Sequence, residues 1–148
     1  MPDISDLNKS KLDCETIELF TSNFLKNEKN LNSIKRNNKL ISYCILAKNI
    51  SNNSKISLLS LISMSDEMIM KKFNAASINY VSKKLSVPRE TVRRYISSLT
   101  KNKTILRDQK GLYISSKWIE TNMDNLFESI LNYINLGKKL QNKINVNK

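Results

Sequence analysis

Three of the five arginines in this 148-residue chain, Arg89, Arg93 and Arg94, fall within six residues, with Glu90 between the first two. At about 100° per helical residue, Arg89, Arg93, Ser97, Glu90 and Arg94 span roughly 0° to 140° of a helical wheel. Val92, Tyr95, Ile96 and Leu99 fall between about 240° and 340° on the same wheel. One face is therefore apolar and the other carries arginine, glutamate and serine. Most charged helical faces are simply solvated. Residue type argues for more here. The guanidinium is a planar fork that matches guanine O6 and N7 or a phosphate, whereas lysine is a point charge. Asn, Lys and Ile dominate the chain, as an A·T-rich coding sequence produces, so scattered lysines such as Lys26, Lys48 and Lys138 read as solvated surface. Arginine runs against that bias and is the informative cation: Arg36, Arg89, Arg93, Arg94 and Arg107.

The elements around this face fit the same chemistry. Ile78, Val81 and Leu85 give a short helix that ends at Ser86-Val87, and the next begins at once with Pro88 near its first turn, where proline is pre-set for helical φ. Two helices joined so tightly form a helix-turn-helix, whose second helix lies in a DNA major groove. Thr104-Ile-Leu-Arg107 and Leu112-Tyr-Ile-Ser115 are β-prone runs about a turn, with Gly111 where a hairpin needs positive φ. The spacing thus predicts a winged helix-turn-helix. Helix 88–101 reads base edges through Arg89, Glu90, Arg93 and Arg94. Ser77, Lys83, Thr91 and Ser97, with Arg107 and Lys110 on wing 104–115, face the sugar-phosphate backbone.

The run Val81-Ser-Lys-Lys-Leu-Ser-Val-Pro-Arg-Glu-Thr-Val-Arg-Arg94 resembles the DNA-binding module of the Crp/Fnr transcription regulators. In that family an Arg-Glu pair opens the recognition helix and a second arginine follows four residues after the glutamate, together reading the half-site. The matching positions are Arg89, Glu90 and Arg94, with Thr91 placed for a phosphate and Val92 for the core. The resemblance covers residues 77–115, and Arg-Glu-Thr-Val is shared widely among winged helices. The chain departs from the family in lacking the upstream β-roll effector domain: residues 1–74 are too short and too Gly-poor for it. The exit of the recognition helix, Asn102-Lys-Thr-Ile, implies a turn shifted by one residue. A helical frame on both sides of the wing is also similar to the MarR-type dimeric regulators.

Composition bounds the rest. Twenty-five Lys and Arg against 13 Asp and Glu give +12 at pH 7, a field that concentrates polyanions. Residues 81–110 alone hold nine basic and two acidic residues, and residues 31–65 hold five basic and no acidic residue. With no His, two Cys and two Gly, the chain can form no Ser-His-Asp triad, zinc site or phosphate-cradling glycine loop. No catalytic residues, metal or cofactor are expected, and the effector, if any, is open. Cys14 and Cys44 read as reduced, buried thiols. The acidic N-terminus is no secretory signal and no stretch approaches the ~20 apolar residues of a bilayer span, so a cytoplasmic, nucleoid-associated chain without membrane contact is expected.

Apolar periodicity predicts further helices over Asp13–Lys26, Leu40–Ala47 and Ile56–Met70, the last burying Leu58, Leu59, Ile62, Ile69 and Met70. The Asn-rich stretches 27–38 and 49–53 read as loops. Ile119, Met123, Leu126, Phe127, Ile130, Ile134 and Leu140 stripe a final helix near residues 121–142, either packed against the first helix or forming a homodimer seam. The expected fold is mostly α: a winged helix-turn-helix at residues 56–116, with a small β-hairpin wing, a helical N-terminal flank at 1–55 and a C-terminal helix at 117–148. The expected function is sequence-specific double-stranded DNA binding by a transcription regulator. The alternative is an architectural or replication-associated winged-helix protein that binds DNA non-specifically, or binds protein.

Overall fold

The computed structural model describes residues 11–12, 33–51, 56–122, 128 and 140–144. The helix expected over Asp13–Lys26, and most of the one expected over 121–142, lie outside them. In chain order come β1 (Lys11–Leu12), α1 (Ser33–Ile50), β2 (Ile56–Ser57), α2 (Leu58–Ile62), α3 (Asp66–Lys72), α4 (Ile78–Leu85), α5 (Arg89–Lys101), β3 (Ile105–Arg107) and β4 (Leu112–Ile114). Residues 116–122 and 140–144 are helical. The chain is mostly helical, with two small antiparallel sheets, β1–β2 and β3–β4.

Helix α1 corrects the expectation of a short helix between Asn-rich loops. It runs seven residues further toward the N-terminus than Leu40 and three beyond Ala47. Packing overrides the turn preference of asparagine: Leu40, Ile41, Cys44, Ile45, Leu46, Ala47 and Ile50 are all buried. From Ile41 onward these residues share one apolar cluster with Val81 of α4, Val92, Ile96 and Leu99 of α5, and Leu112 to Ile114 of β4. Trp118 joins it, its ring edge-on to Tyr43 with centroids 5.9 Å apart.

The segment expected as one helix over Ile56–Met70 begins instead as strand β2, with Ile56 and Ser57 paired to Leu12 and Lys11, and the rest is broken into two helices. Ser65 caps α3, its side chain accepting from the Met68 N–H at 3.3 Å, and Asp66 and Glu67 follow in the first turn, where negative charge suits the helix dipole. A fresh start at Ser65 resets the helical phase. Leu61 is therefore buried and Ile62, expected inside, is 41% exposed, while Ile69 is buried and Met70 half-buried.

The hairpin pairs Ile105 with Ile114, Leu106 with Tyr113 and Arg107 with Leu112. Ala76, just before α4, bridges the other edge of β4: its N–H donates to Leu112 O at 2.9 Å and its carbonyl accepts from Leu112 N at 2.8 Å. Gly111 has φ +144°, and a Cβ there would lie 2.5 Å from Ala76 O, so positive φ and close approach both require glycine. Burial first, and then the neighbouring carboxylate of Asp108, raises the pKa of the Tyr113 hydroxyl.

Asn49 is the polar centre of this core. It lies at the end of α1 and is fully buried. Its Nδ2 donates to Asn74 O at 2.7 Å and Leu112 O at 3.1 Å, and its Oδ1 accepts from Ile114 N at 2.9 Å. Its own carbonyl accepts from Asn74 N at 3.0 Å. An Asn49→Leu substitution would leave the Ile114 N–H and the Asn74 carbonyl buried and unpaired, at about 1–3 kcal/mol each. The expected result is a loss of about 2–5 kcal/mol in urea unfolding, far above the typical point substitution.

Candidate nucleic-acid interface

The arginine-bearing face rests on how α4 ends and α5 begins. The Ser77 hydroxyl caps α4 by accepting from Tyr80 N at 3.0 Å. Val81 anchors the helix in the core, with Ile78 and Leu85 half-buried beside it. Ser86 then takes the left-handed conformation, φ 54° and ψ 44°. This turns the chain so that Val87 N donates to Ser82 O at 3.1 Å, while the Ser82 hydroxyl donates to Val87 O at 2.6 Å. Pro88 caps α5 and is not its first turn: its ψ is 144°, and its carbonyl accepts from Val92 N at 3.1 Å. The helix thus begins at Arg89, one residue later than expected.

On α5, Val92, Ile96 and Leu99 are buried, and Arg89, Glu90, Arg93, Arg94 and Ser97 are exposed, as the wheel predicts. Glu90 and Arg93 form an ion pair at 3.4 Å, their side chains 76% and 52% exposed. An exposed i,i+3 pair of this kind is worth well under 1 kcal/mol and yields readily to another partner. At the far end, Lys103 adopts φ 62°. Thr104 N donates to Leu99 O at 2.9 Å and Lys103 N to Thr100 O at 3.2 Å, the paired bonds of a Schellman closure. The left-handed residue is one beyond Asn102, in line with the shifted exit expected from the sequence.

The hairpin follows directly. Asp108 shapes its tip: Oδ1 accepts from Lys110 N at 2.8 Å and Gly111 N at 3.2 Å. Arg107 and Lys110 are both exposed, as is Lys83 on α4. Ser77 is exposed but its oxygen is already engaged in the cap, and Thr91 is half-buried on the flank of α5 that meets α1. There the Asn37 amide donates to the Tyr95 hydroxyl at 3.0 Å. An open groove of about 310 Å³ lies alongside, lined by Asn38, Thr91, Arg94, Tyr95 and Ser98. Sequence reasoning missed the α1 side of this groove, because Asn37 and Asn38 were read as loop.

Elsewhere, Lys48 and Lys84 approach the Tyr80 ring at 5.1 and 5.9 Å from its centroid. Among the described residues no helix is long and apolar enough to cross a membrane, and no group of three or more His, Cys, Asp or Glu could hold a metal ion. Compared with protein-family models, curated proteins and solved structures, the chain matches none of them.

A serine in the left-handed region carries a steric cost of roughly 1–2 kcal/mol that glycine avoids, less about 0.5–1 kcal/mol for the added freedom of the unfolded chain. Ser86→Gly should therefore raise the unfolding free energy by up to ~1 kcal/mol and Ser86→Val should lower it. Thermal melts of the two variants measure the difference.

Proposed function

We propose that the chain is a winged helix-turn-helix protein that binds double-stranded DNA sequence-specifically and regulates transcription, reading the major groove with α5 and the backbone with the β3–β4 hairpin. One observation carries the reading. Helix α5 is anchored by three buried aliphatic residues while Arg89, Glu90, Arg93 and Arg94 all remain exposed, directly after a three-residue turn from α4 and directly before a hairpin tipped by Lys110. Such a face leaves planar donors free for base edges on a helix whose position is fixed. The Crp/Fnr-like order of Arg89, Glu90 and Arg94 supports the same roles. In this reading Lys83, Thr91, Ser97, Arg107 and Lys110 hold phosphates, with Ser77 contributing only the proton of its capping hydroxyl.

The test separates base reading from charge. A bidentate Arg–guanine contact carries about 1–3 kcal/mol of discrimination, and a phosphate contact carries affinity without sequence information. Duplexes selected from random sequence are titrated with each variant at two salt concentrations. Arg94→Ala should flatten preference at one or two base pairs. Lys110→Ala should weaken specific and scrambled duplexes alike and lower the salt slope by about 1. If Arg89→Ala and Arg94→Ala both leave the specific-to-scrambled ratio unchanged, base reading is wrong and the architectural, non-specific role takes its place.

Single winged helices seldom reach specific affinity alone, and regulators pair on half-sites about one helical turn apart. Leu140 and Ile144, one helical turn apart, are 54% and 60% exposed, an apolar edge suited to a two-fold seam. The protein is therefore expected to be a homodimer by light scattering at tens of micromolar. A monomer mass, with and without duplex, would refute this.

A further inference from the structure

Helix α5 has three sides, of which the outer face and the core face are two. On its wheel, with Arg89 at zero, Arg94, Ser98 and Thr91 fall at roughly 140°, 180° and 200°. This third side lines the open groove toward α1, with Tyr95 at its core-facing edge. Burial of Val92, Ile96 and Leu99 sets how deep α5 sits. The hydrophobic effect is non-directional, however, and does little to stop a helix rolling toward an open flank. A hydrogen bond has a preferred length and angle. On this flank the Asn37 amide donates to the Tyr95 hydroxyl at 3.0 Å, joining residues 58 positions apart. Both ends of the bond are anchored. Tyr95 immediately precedes the buried Ile96, and Asn37 lies one turn before the fully buried Ile41, on the helix whose far end carries Asn49.

We infer that the Asn37–Tyr95 bond fixes the roll of α5 about its own axis, making both residues positioning residues for base reading although neither is among those that meet the duplex. The inference rests on the reading of α5 as the groove-reading helix. The bond is made one residue from Arg94, so the angle at which that guanidinium leaves the helix is referred to the frame that α1 provides. A helix with its side chains has a radius of about 5–6 Å, so a roll of ~10° displaces a group at its edge by about an ångström. That is enough to spoil a bidentate contact with a base edge. Attraction to phosphates survives such a roll, because counterion release depends on the number of charges neutralised. The bond therefore contributes to sequence preference and not to general affinity.

The experiment uses the full chain with the selected and scrambled duplexes. Tyr95→Phe keeps the ring and removes the hydroxyl, and Asn37→Ala removes the amide from a helix that accepts alanine well. Each should lower the specific-to-scrambled ratio about fivefold, the low end of what one bidentate contact carries. Affinity for the scrambled duplex and the salt slope should stay as they are, since neither substitution alters a charge. The double variant should lose no more than either single one. Ser65→Ala, which removes the cap of α3, is the stability control and should lower the melting temperature without moving the ratio. If the Asn37 and Tyr95 variants behave like Ser65→Ala, the bond is structural only and the inference is overturned. A double variant whose loss is the product of the two single losses overturns it too, because the residues then act separately. Arg94→Ala keeps the two readings apart. If it flattens preference while the Asn37 and Tyr95 variants leave the ratio unchanged, the α5 reading stands without the positioning bond; if none of them moves the ratio, both fall.

Discussion

The buried amide of Asn49 is the constraint on which the rest of the molecule depends. One side chain at the end of α1 spends both amide protons and its oxygen on three backbone groups from two other segments. In an interior of low dielectric each of those bonds must be made, because each group left unpaired costs more than the bond contributes when satisfied. The network therefore permits few alternatives to one placement of Asn74, Leu112 and Ile114 around α1. Leu112 is also the residue that Ala76 bridges, and α4 starts two residues after Ala76. The position of the whole 78–114 segment relative to α1 thus traces back to a single polar side chain among aliphatic neighbours.

Against that fixed frame, the surface of α4, α5 and the hairpin is built at some electrostatic disadvantage. Nine cations and two anions share residues 81–110, and the Glu90–Arg93 ion pair on α5 is exposed and weak. Like charges at this density do not stabilise a fold; their mutual repulsion is relieved by an anionic partner and is screened by salt. The ammonium groups of Lys48 and Lys84 lie 5.1 and 5.9 Å from the centre of the Tyr80 ring, a cation–π attraction that offsets only part of this repulsion. In the proposed role, an anionic duplex would turn this arrangement from a cost into binding energy.

The parts of this structure that were legible in the sequence are those set by local rules. The period of Val92, Ile96 and Leu99 fixed the orientation of α5, Pro88 marked its start to within a residue, and Gly111 marked the positive-φ corner of the hairpin. The larger departures concern asparagine and serine. Local preference alone assigns Asn37, Asn38 and Asn49 to loops, because asparagine favours turns when nothing else engages its amide. In the fold Tyr95 engages Asn37 and three backbone groups engage Asn49, so tertiary hydrogen bonds outweigh the local preference. Ser65, followed by Asp66 and Glu67, was a readable start signal for α3 that the apolar run from Ile56 to Met70 concealed. The groove beside α5 was not legible at all, since it exists only where two helices meet through residues as far apart in sequence as Asn37 and Tyr95.

Base reading places a stricter demand on a helix than charge attraction does. A bidentate contact fails if the guanidinium is displaced by an ångström, so the helix beneath it must be held on more than one side. Helix α5 meets this requirement through three different kinds of contact. Val92, Ile96 and Leu99 are packed in the core, Pro88 fixes the backbone at entry, and Tyr95 is tied laterally to α1. A protein that only condensed on DNA would need the cations but none of this bracing, since counterion release is indifferent to where each charge sits along the groove. The bracing, more than the arginines themselves, is the reason to favour sequence-specific recognition.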